Sequence, residues 1–343
     1  MENDIQKLEA AATKELFSWP HTSLKHFAKV FVKILLRYPS TTLSPYRYSW
    51  PNALLAKSLA TTDHNTPILN KYYSSWQKRN LLIKHIDCAL HGEVLLDLYK
   101  QTGNNRYLKM CHSLYKYLLN SPRDKYGNFY YRPGDKKIFI DTIGMISPFL
   151  ANYSIITDKP EALTLAKQQV LNFTKYGLDA DTNLPFHGYD AEKQKRYGEL
   201  GWGRGMGWFM LGLSGILKHL PKNDPDYKTI KKVLLDLTER TIALQNNNGL
   251  LPWSLTSSTS HPDTSATAMV FTSIQQAIND KILPSKYQKN VILAINGIKP
   301  YISSSGLFLS SAECNGLGKY PQKYGAYPWS TGPALYLLAV SKK

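Results

Sequence analysis

Seven residues whose chemistry stands out precede or open helical stretches of this chain: Asp87, Asp141, His187, Trp202, Arg204, Asp263 and Trp329. A carboxyl that is desolvated, or set beside a second carboxylate, can keep its proton near neutral pH and serve as a general acid. Asp87 and Asp141 qualify by type. An arginine offers a planar fork for a carboxylate, and indole faces stack on sugar rings. Gathered at one mouth, these groups describe a saccharide site, with Tyr189, Asp190 and Trp208 as further wall candidates. Each also has a plainer reading. Asp263 before Thr264 is better taken as a helix N-cap, Trp329 as packing, and His85 with Asp87 as a cap on the helix that starts there. Trp202 and Trp208 lie six residues apart on different helical faces, so at most one should belong to the core.

What positions these residues is a repeat. Helical periodicity covers roughly 85–101, 104–119, 160–175, 205–219, 226–245, 264–279, 285–301 and 332–341. Gly103 reads as a helix stop, and Pro160, Pro225 and Pro284 sit near helix starts, where a missing N–H costs little. One small hairpin is expected, from 129–131 and 138–140 around Pro133-Gly134. The class is all-α. In four copies a Gly or Asn turn leads to a short apolar segment, a polar loop and a helix rich in small apolar residues. The helices follow Asp141, Trp202, Asp263 and Trp329, spaced by 61, 61 and 66 positions. Such spacing suits one helical hairpin per repeat, and hairpins stack into an open solenoid or close into a ring.

Composition narrows the partners. With 43% hydrophobic and 20% charged residues the chain is globular. The 42 Lys and Arg against 25 Asp and Glu leave +17, which attracts polyanions. The basic residues are scattered between Tyr-rich helices rather than gathered in tracts, so an acidic sugar is expected and nucleic acid is not. The stretch 24–37 alternates an apolar stripe with Lys25, Lys29, Lys33 and Arg37, and reads as a packed helix with a solvated face. Three widely spaced cysteines, Cys88, Cys111 and Cys314, suggest reduced thiols. The acidic Met1-Glu2-Asn3-Asp4 start and the lack of an apolar run approaching about 18 residues point to a cytoplasmic protein with no membrane insertion. Glycines alternate over Gly201–Gly207 without forming Gly-x-Gly-x-x-Gly, and neither His-Glu-x-x-His nor Gly-x-Ser-x-Gly occurs. No cofactor and no metal are expected. The oligomeric state stays open.

Two stretches carry a family resemblance. Residues 140–151, Ile-Asp-Thr-Ile-Gly-Met-Ile-Ser-Pro-Phe-Leu-Ala, and residues 202–208, Trp-Gly-Arg-Gly-Met-Gly-Trp, resemble the Asp-centred and Trp-x-Arg-Gly-Asn-Gly-Trp motifs of the unsaturated rhamnogalacturonyl hydrolases and the related unsaturated glucuronyl hydrolases. His187-Gly188-Tyr189-Asp190, the segment 263–268 and the segment 329–334 add to it. The likeness runs from about residue 80 to the C-terminus. It implies an (α/α)6 barrel, formed by residues 76–343 together with an N-terminal helical segment, 1–75, acting as a lid or as the first hairpin. The implied activity is hydration of the C4=C5 bond of a terminal 4,5-unsaturated uronic acid on an acidic oligosaccharide, such as one derived from rhamnogalacturonan.

By the same carry-over, Asp141 is the general acid and Asp87 the second carboxylate. His187, Tyr189, Trp202, Arg204, Trp208, Asp263 and Trp329 are the substrate-binding candidates. Met206 departs from the motif, which usually has Asn there, so a contact to a sugar hydroxyl or to the loop is expected to be lost. The stretch Pro39–Pro51, with Tyr46, Tyr48 and Trp50, is a candidate lid or sugar platform. Two other classes remain: a lyase or ordinary glycosidase on a similar barrel, the lyase using Tyr189 beside His187, and a non-catalytic glycan-binding protein.

Overall fold

The computed structural model describes residues 1–21, 28, 31–32, 35–36, 46–132, 134–257, 259–314, 317–318, 320 and 323–342. The basic stretch 24–37 therefore lies largely outside the described residues. Among the described residues twelve α-helices follow one another: α1 (Glu2–Ser18), α2 (Trp50–Leu59), α3 (Thr66–Gln77), α4 (His91–Thr102), α5 (Asn105–Leu119), α6 (Ile140–Thr157), α7 (Pro160–Gly177), α8 (Gly203–His219), α9 (Tyr227–Ala243), α10 (Thr264–Asn279), α11 (Gln288–Ile298) and α12 (Pro328–Val340). The even-numbered helices form an inner ring. Each packs on the next, and α12 packs back on α2, which closes the ring; α1 covers the seam between them. The odd-numbered helices lie outside. The architecture is an (α/α)6 barrel.

Burial explains which helix goes where. The outer helix α5 is amphipathic and buries one stripe, Tyr107, Met110, Cys111, Leu114, Tyr115 and Leu118. The inner helix α6 buries thirteen consecutive residues from Thr142 to Ser154, as a helix surrounded by others must. Close approach in the ring depends on glycine. A Cβ at Gly144 would run into the Trp208 backbone, one at Gly212 into Ile143, and one at Gly332 into Leu54.

The boundaries differ from the sequence expectation in instructive places. The 85–101 helix is two pieces, a 3-10 turn at Ile86–Leu90 and then α4. The final helix starts at Pro328, because proline at the first helical position needs no N–H partner. The 129–131/138–140 hairpin does not form. Instead β1 (Ile138–Phe139) pairs with β2 (Phe186–Asp190), Ile138 opposite Tyr189 and Phe139 opposite Gly188, and β2 pairs with β3 (Lys195–Leu200). A strand longer than a two-residue segment outcompeted the local turn. Four further two-residue strands lie in the last loop region: β4 (Ile302–Ser303) with β5 (Gly306–Leu307), and β6 (Ser310–Ser311) with β7 (Tyr324–Gly325).

Candidate active site

The N-terminal ends of the inner helices converge on a cavity of about 440 Å³ lined by Trp50, Tyr131, Arg132, Phe139, Asp141, His187, Trp202, Arg204, Glu313 and Cys314. Asp141 sits in the first turn of α6, directly after β1. Because β1 pairs with β2, that turn lies beside His187, whose Nε2 stands 3.2 Å from the Asp141 carboxylate. The other ring nitrogen, Nδ1, meets the Tyr320 hydroxyl at 2.7 Å. Trp202 packs on the His187 ring with centroids 4.5 Å apart. The side of the cavity around Asp141 is thus a fixed imidazole between two aromatic faces.

Asp87 is buried in the 3-10 turn before α4, and it is held by its neighbour. The Asp87 backbone N–H points at His85 Nδ1 at 3.3 Å, while the Asp87 carboxylate lies 3.4 Å from the same nitrogen. His85 Nε2 faces the Tyr131 carbonyl. Burial opposes the charged form of His85, but the hydrogen bond and charge of Asp87 outweigh it and raise the imidazole's pKa. The second oxygen of Asp87 is buried with no hydrogen-bond partner among the described residues. Tyr131, driven up by burial and then by the charges of Asp87 and Asp141, feels both carboxylates. The cap on this turn is His85 rather than Asp87, and Asp87 stands beside Tyr131 without lining the cavity itself.

Arg204 lines the cavity, but its fork is largely committed to protein. One terminal nitrogen donates to Ser265 Oγ at 3.2 Å and to the Ser311 hydroxyl and carbonyl at 2.7 and 3.2 Å, and the other donates to the Ala312 carbonyl at 3.1 Å. The guanidinium lies over Trp202 and Trp329. Arg132, by contrast, is exposed, and its guanidinium rests 5.6 Å from the Phe139 ring centre. The cation open to an incoming carboxylate is thus Arg132 more than Arg204.

Five of the sequence candidates, Asp263, Trp329, Trp208, Tyr189 and Asp190, sit behind the wall. Asp263 is fully buried and caps α10, accepting from the Ser265 and Ala266 N–H groups and from the Ser265 and Ser311 hydroxyls. This is the capping role that its position suggested. Trp329 is buried, stacks on Tyr327 and donates its indole N–H to the Ser311 carbonyl at 2.9 Å. Trp208 is fully buried, edge-on to Trp50. Trp202 is also buried, which corrects the rule that only one of the two indoles belongs inside. That rule assumed both were helical, whereas Trp202 precedes α8 as its N-cap residue. Tyr189 points away, between Phe173 and Tyr176, because the β2–β3 register shifts between Phe186 and Gly188 and so interrupts the alternation that would otherwise put residues 187 and 189 on one face. His187 and Tyr189 therefore face different surroundings, and the Tyr189–His187 lyase pair is not assembled in the cavity. Asp190 is buried and accepts from the N–H groups of Glu192 and Lys193 in the turn after β2.

Met206 is buried inside α8 and does not reach the cavity, so the apolar replacement is a packing change rather than a lost sugar contact. Of the candidate lid, residues 39–45 lie outside the described residues; among the described ones Tyr48 is stacked on Trp76 and only Trp50 fronts the cavity. Glu313, Cys314 and Tyr320 were not foreseen. They come from the loop between α11 and α12, where no periodicity marks them. Glu313 stays open at the mouth, yet crowding by protein, followed by the charges of Asp141 and Asp87 against those of Arg204 and Arg132, leaves its carboxyl pKa raised. Burial pushes the Cys314 thiol up to about 12.

A closed six-hairpin ring with a carboxyl–imidazole pair between indole faces defines a glycan-processing (α/α)6-barrel enzyme. The chain belongs to Glycosyl Hydrolase Family 88, whose model matches residues 47–340. It is 24% identical over 260 residues to the unsaturated rhamnogalacturonyl hydrolase YesR of Bacillus subtilis (strain 168), covering 72% of this chain and 74% of that protein. Among solved structures it resembles a possible member of the GH105 family from Salmonella enterica, with TM-score 0.85, 19% identity, and coverage of 99% of this chain and 94% of that one. It also resembles an unsaturated glucuronyl hydrolase from Bacillus sp. GL1, with TM-score 0.72, 16% identity, and coverage of 99% and 96%.

Proposed function

We propose that this enzyme hydrates the C4=C5 double bond of a terminal 4,5-unsaturated uronic acid and so releases the sugar beyond it. The observation that carries this reading is Asp141, opening into an aromatic-walled cavity with His187 as its side-chain hydrogen-bond partner. Asp141 delivers a proton to C4, which leaves an oxocarbenium at C5 stabilised by the ring oxygen. Water adds at C5 and returns a proton to the carboxylate. The resulting hemiketal opens, and the acetal carbon, now a hemiacetal, expels the neighbouring sugar. Asp87 is the second carboxylate of the site, Trp50 and Trp202 flank the sugar ring, and Arg132 with the remaining N–H groups of Arg204 receives the uronate carboxylate. The unpaired Cys88, Cys111 and Cys314 fit a reducing compartment, and the cytoplasm is our placement for the reaction.

The test is direct. The ultraviolet absorbance of the conjugated C4=C5 uronate is followed while the enzyme meets lyase digests of rhamnogalacturonan, pectin and glycosaminoglycans. A falling signal on one digest supports hydration and identifies the neighbouring sugar. A rising signal on undigested polymer would mean a lyase, and no change on any digest would overturn the reading.

A further inference from the structure

We propose that His85 is a positioning residue whose own protonation decides how Asp87 is held: as an imidazolium it donates from Nδ1 to the Asp87 carboxylate, and as a neutral ring it caps the turn through the Asp87 backbone N–H instead. The inference rests on Asp87 being the second carboxylate of the proposed reaction, and it names what keeps that carboxylate paired near neutral pH.

The case is that one atom is offered two partners it cannot serve together. His85 Nε2 faces the Tyr131 carbonyl. A carbonyl oxygen only accepts, so Nε2 carries hydrogen in both the neutral and the charged ring. Nδ1 is left with two neighbours, both on Asp87: the backbone N–H at 3.3 Å and a carboxylate oxygen at 3.4 Å. The N–H needs a bare Nδ1, and the carboxylate needs a protonated one. With the two distances nearly equal, exchange between these partners takes a proton and no rearrangement of the chain. The ring can obtain that proton, because 27% of the His85 side chain stays in contact with solvent while Asp87 is buried. The other Asp87 oxygen has no hydrogen-bond partner among the described residues. Loss of the Nδ1 donor therefore leaves the whole carboxylate without one.

The groups around the pair leave this change of charge to His85. Tyr131 meets the imidazole edge-on with ring centroids 4.5 Å apart, and the charge of Arg132 works against the imidazolium. Lys84, the preceding residue, turns its ammonium onto the Tyr46 ring. About Asp87, burial raises Tyr46, Cys88, Tyr117 and Tyr131 above their ordinary values, so all four stay neutral near pH 7. Burial also opposes a charge on His85, but the hydrogen bond and charge of Asp87 and the Tyr131 carbonyl outweigh it and Arg132, which places the titration above the ordinary histidine value. What happens at Asp87 reaches the cavity, because its charge acts on Tyr131 together with those of Asp141 and Glu313.

The measurement is a pH titration by nitrogen-15 NMR of the full chain labelled at histidine, with His85 assigned by its disappearance in His85→Asn, alongside steady-state kinetics of that variant. His85 is expected to carry hydrogen on both nitrogens at the acid end and on Nε2 alone at the alkaline end, with a midpoint above about 6.5 that falls in Asp87→Asn. A neutral ring with hydrogen on Nδ1, or a midpoint that Asp87→Asn leaves in place, overturns the proposal. His85→Asn separates the charge from the cap, because asparagine accepts the N–H as an N-cap but has no proton to titrate. It should keep the thermal unfolding midpoint and lower kcat roughly tenfold with KM within about threefold, as when a group that orients a functional side chain is lost. It should also lose the part of the alkaline fall in kcat that coincides with the wild-type His85 midpoint. An unchanged kcat with the wild-type pH profile would mean that His85 only caps the turn, which overturns the positioning role. Because the spectra need no substrate, a protein whose His85 titrates as expected but which acts on no unsaturated uronide would sink the proposed reaction and not the exchange of partners at Nδ1.

Discussion

The barrel has a cavity at each end, similar in size and opposite in character. The one at the N-terminal ends of the inner helices is about 440 Å³, and the other, at their C-terminal ends, is about 530 Å³. The far basin is lined by Lys57, Glu93, Asp97, Lys100, Asn152, Lys218, His219, Asp280 and Tyr336, among others. Charge alone would make it the better candidate for a site. Its polar groups, however, answer one another: Lys57 bonds Glu93 at 2.6 Å, and Lys100 donates to the Asn152 side-chain Oδ1 at 2.9 Å. They also answer the fold, because six helix C-termini converge there with exposed carbonyls and negative dipole ends, which favour cations. At the opposite mouth the helix N-termini favour an anion, and Asp141 faces indole walls and the buried imidazole of His187. Size and polarity do not separate a working site from a structural one. Polar groups left uncommitted against an apolar wall do.

The sharpest way to break that contrast is one substitution at each end. Asp141→Asn should abolish turnover, by at least 10²- to 10⁴-fold, while leaving the thermal unfolding midpoint nearly unchanged. An active, folded mutant would remove Asp141 from the chemistry. Lys57→Met should do the reverse. It leaves Glu93 without its partner and should destabilise the fold by about 2 kcal/mol, below the figure for fully buried pairs because both side chains keep some solvent contact. Its kcat on an unsaturated disaccharide should stay within a factor of two. A large loss of kcat there would mean that the two ends are coupled.

Acid should act on the far end through His219. Burial, then the charges of Lys218, Lys100 and Lys57, lower His219 to about 3. The unfolded chain binds a proton near the ordinary histidine value while the folded one does not, so this contribution to stability is present at neutral pH and falls as pH drops below about 6.5. The slope is up to about 1.4 kcal/mol per pH unit and is reduced by the ring's partial exposure. In urea titrations from pH 7 to 5, His219→Gln should flatten the loss relative to wild type; parallel curves would show that His219 does not carry it. The smallest effect belongs to the mouth. Glu313→Gln removes a negative charge that an incoming uronate must approach and should lower KM by roughly two- to fivefold at low salt, with little change in kcat. An unchanged KM would place Glu313 outside the substrate's field.

The comparison also shows what a sequence makes readable. The inner helices announce themselves through 61-residue spacing and small apolar runs, so the ring and the chain positions at its mouth were accessible, and with them Asp141, His187 and Trp202. The pairing of β1 with β2 was not. It joins residues about fifty positions apart through a two-residue strand, yet it is what sets His187 against Asp141. Tyr320 and Glu313 lie in a loop whose shape is imposed by Arg204 and Asp263 through Ser311, a tertiary constraint with no local pattern. Trp208 and Tyr189 were misdirected for the opposite reason. Aromatic type suggests a sugar platform, but which way a side chain faces depends on strand register and helix start; no strand was expected at 186–190, and the helix starts at Gly203 rather than at 205. The far basin was invisible because its lysines come from the ends of separate helices, each looking like an ordinary solvated terminus.

The seam of the ring has a consequence for how the protein is made. Trp50 on α2 and Trp329 on α12 lie with ring centroids 5.2 Å apart, although nearly the whole chain separates them. An open stack of hairpins could consolidate as each pair leaves the ribosome. Here the apolar flank of α2 finds its final neighbour only when α12 has been synthesised, so the contact order is high and an early-made surface waits uncovered. Slow completion and a need for shielding during synthesis follow from the same closure that brings six helix ends to one mouth.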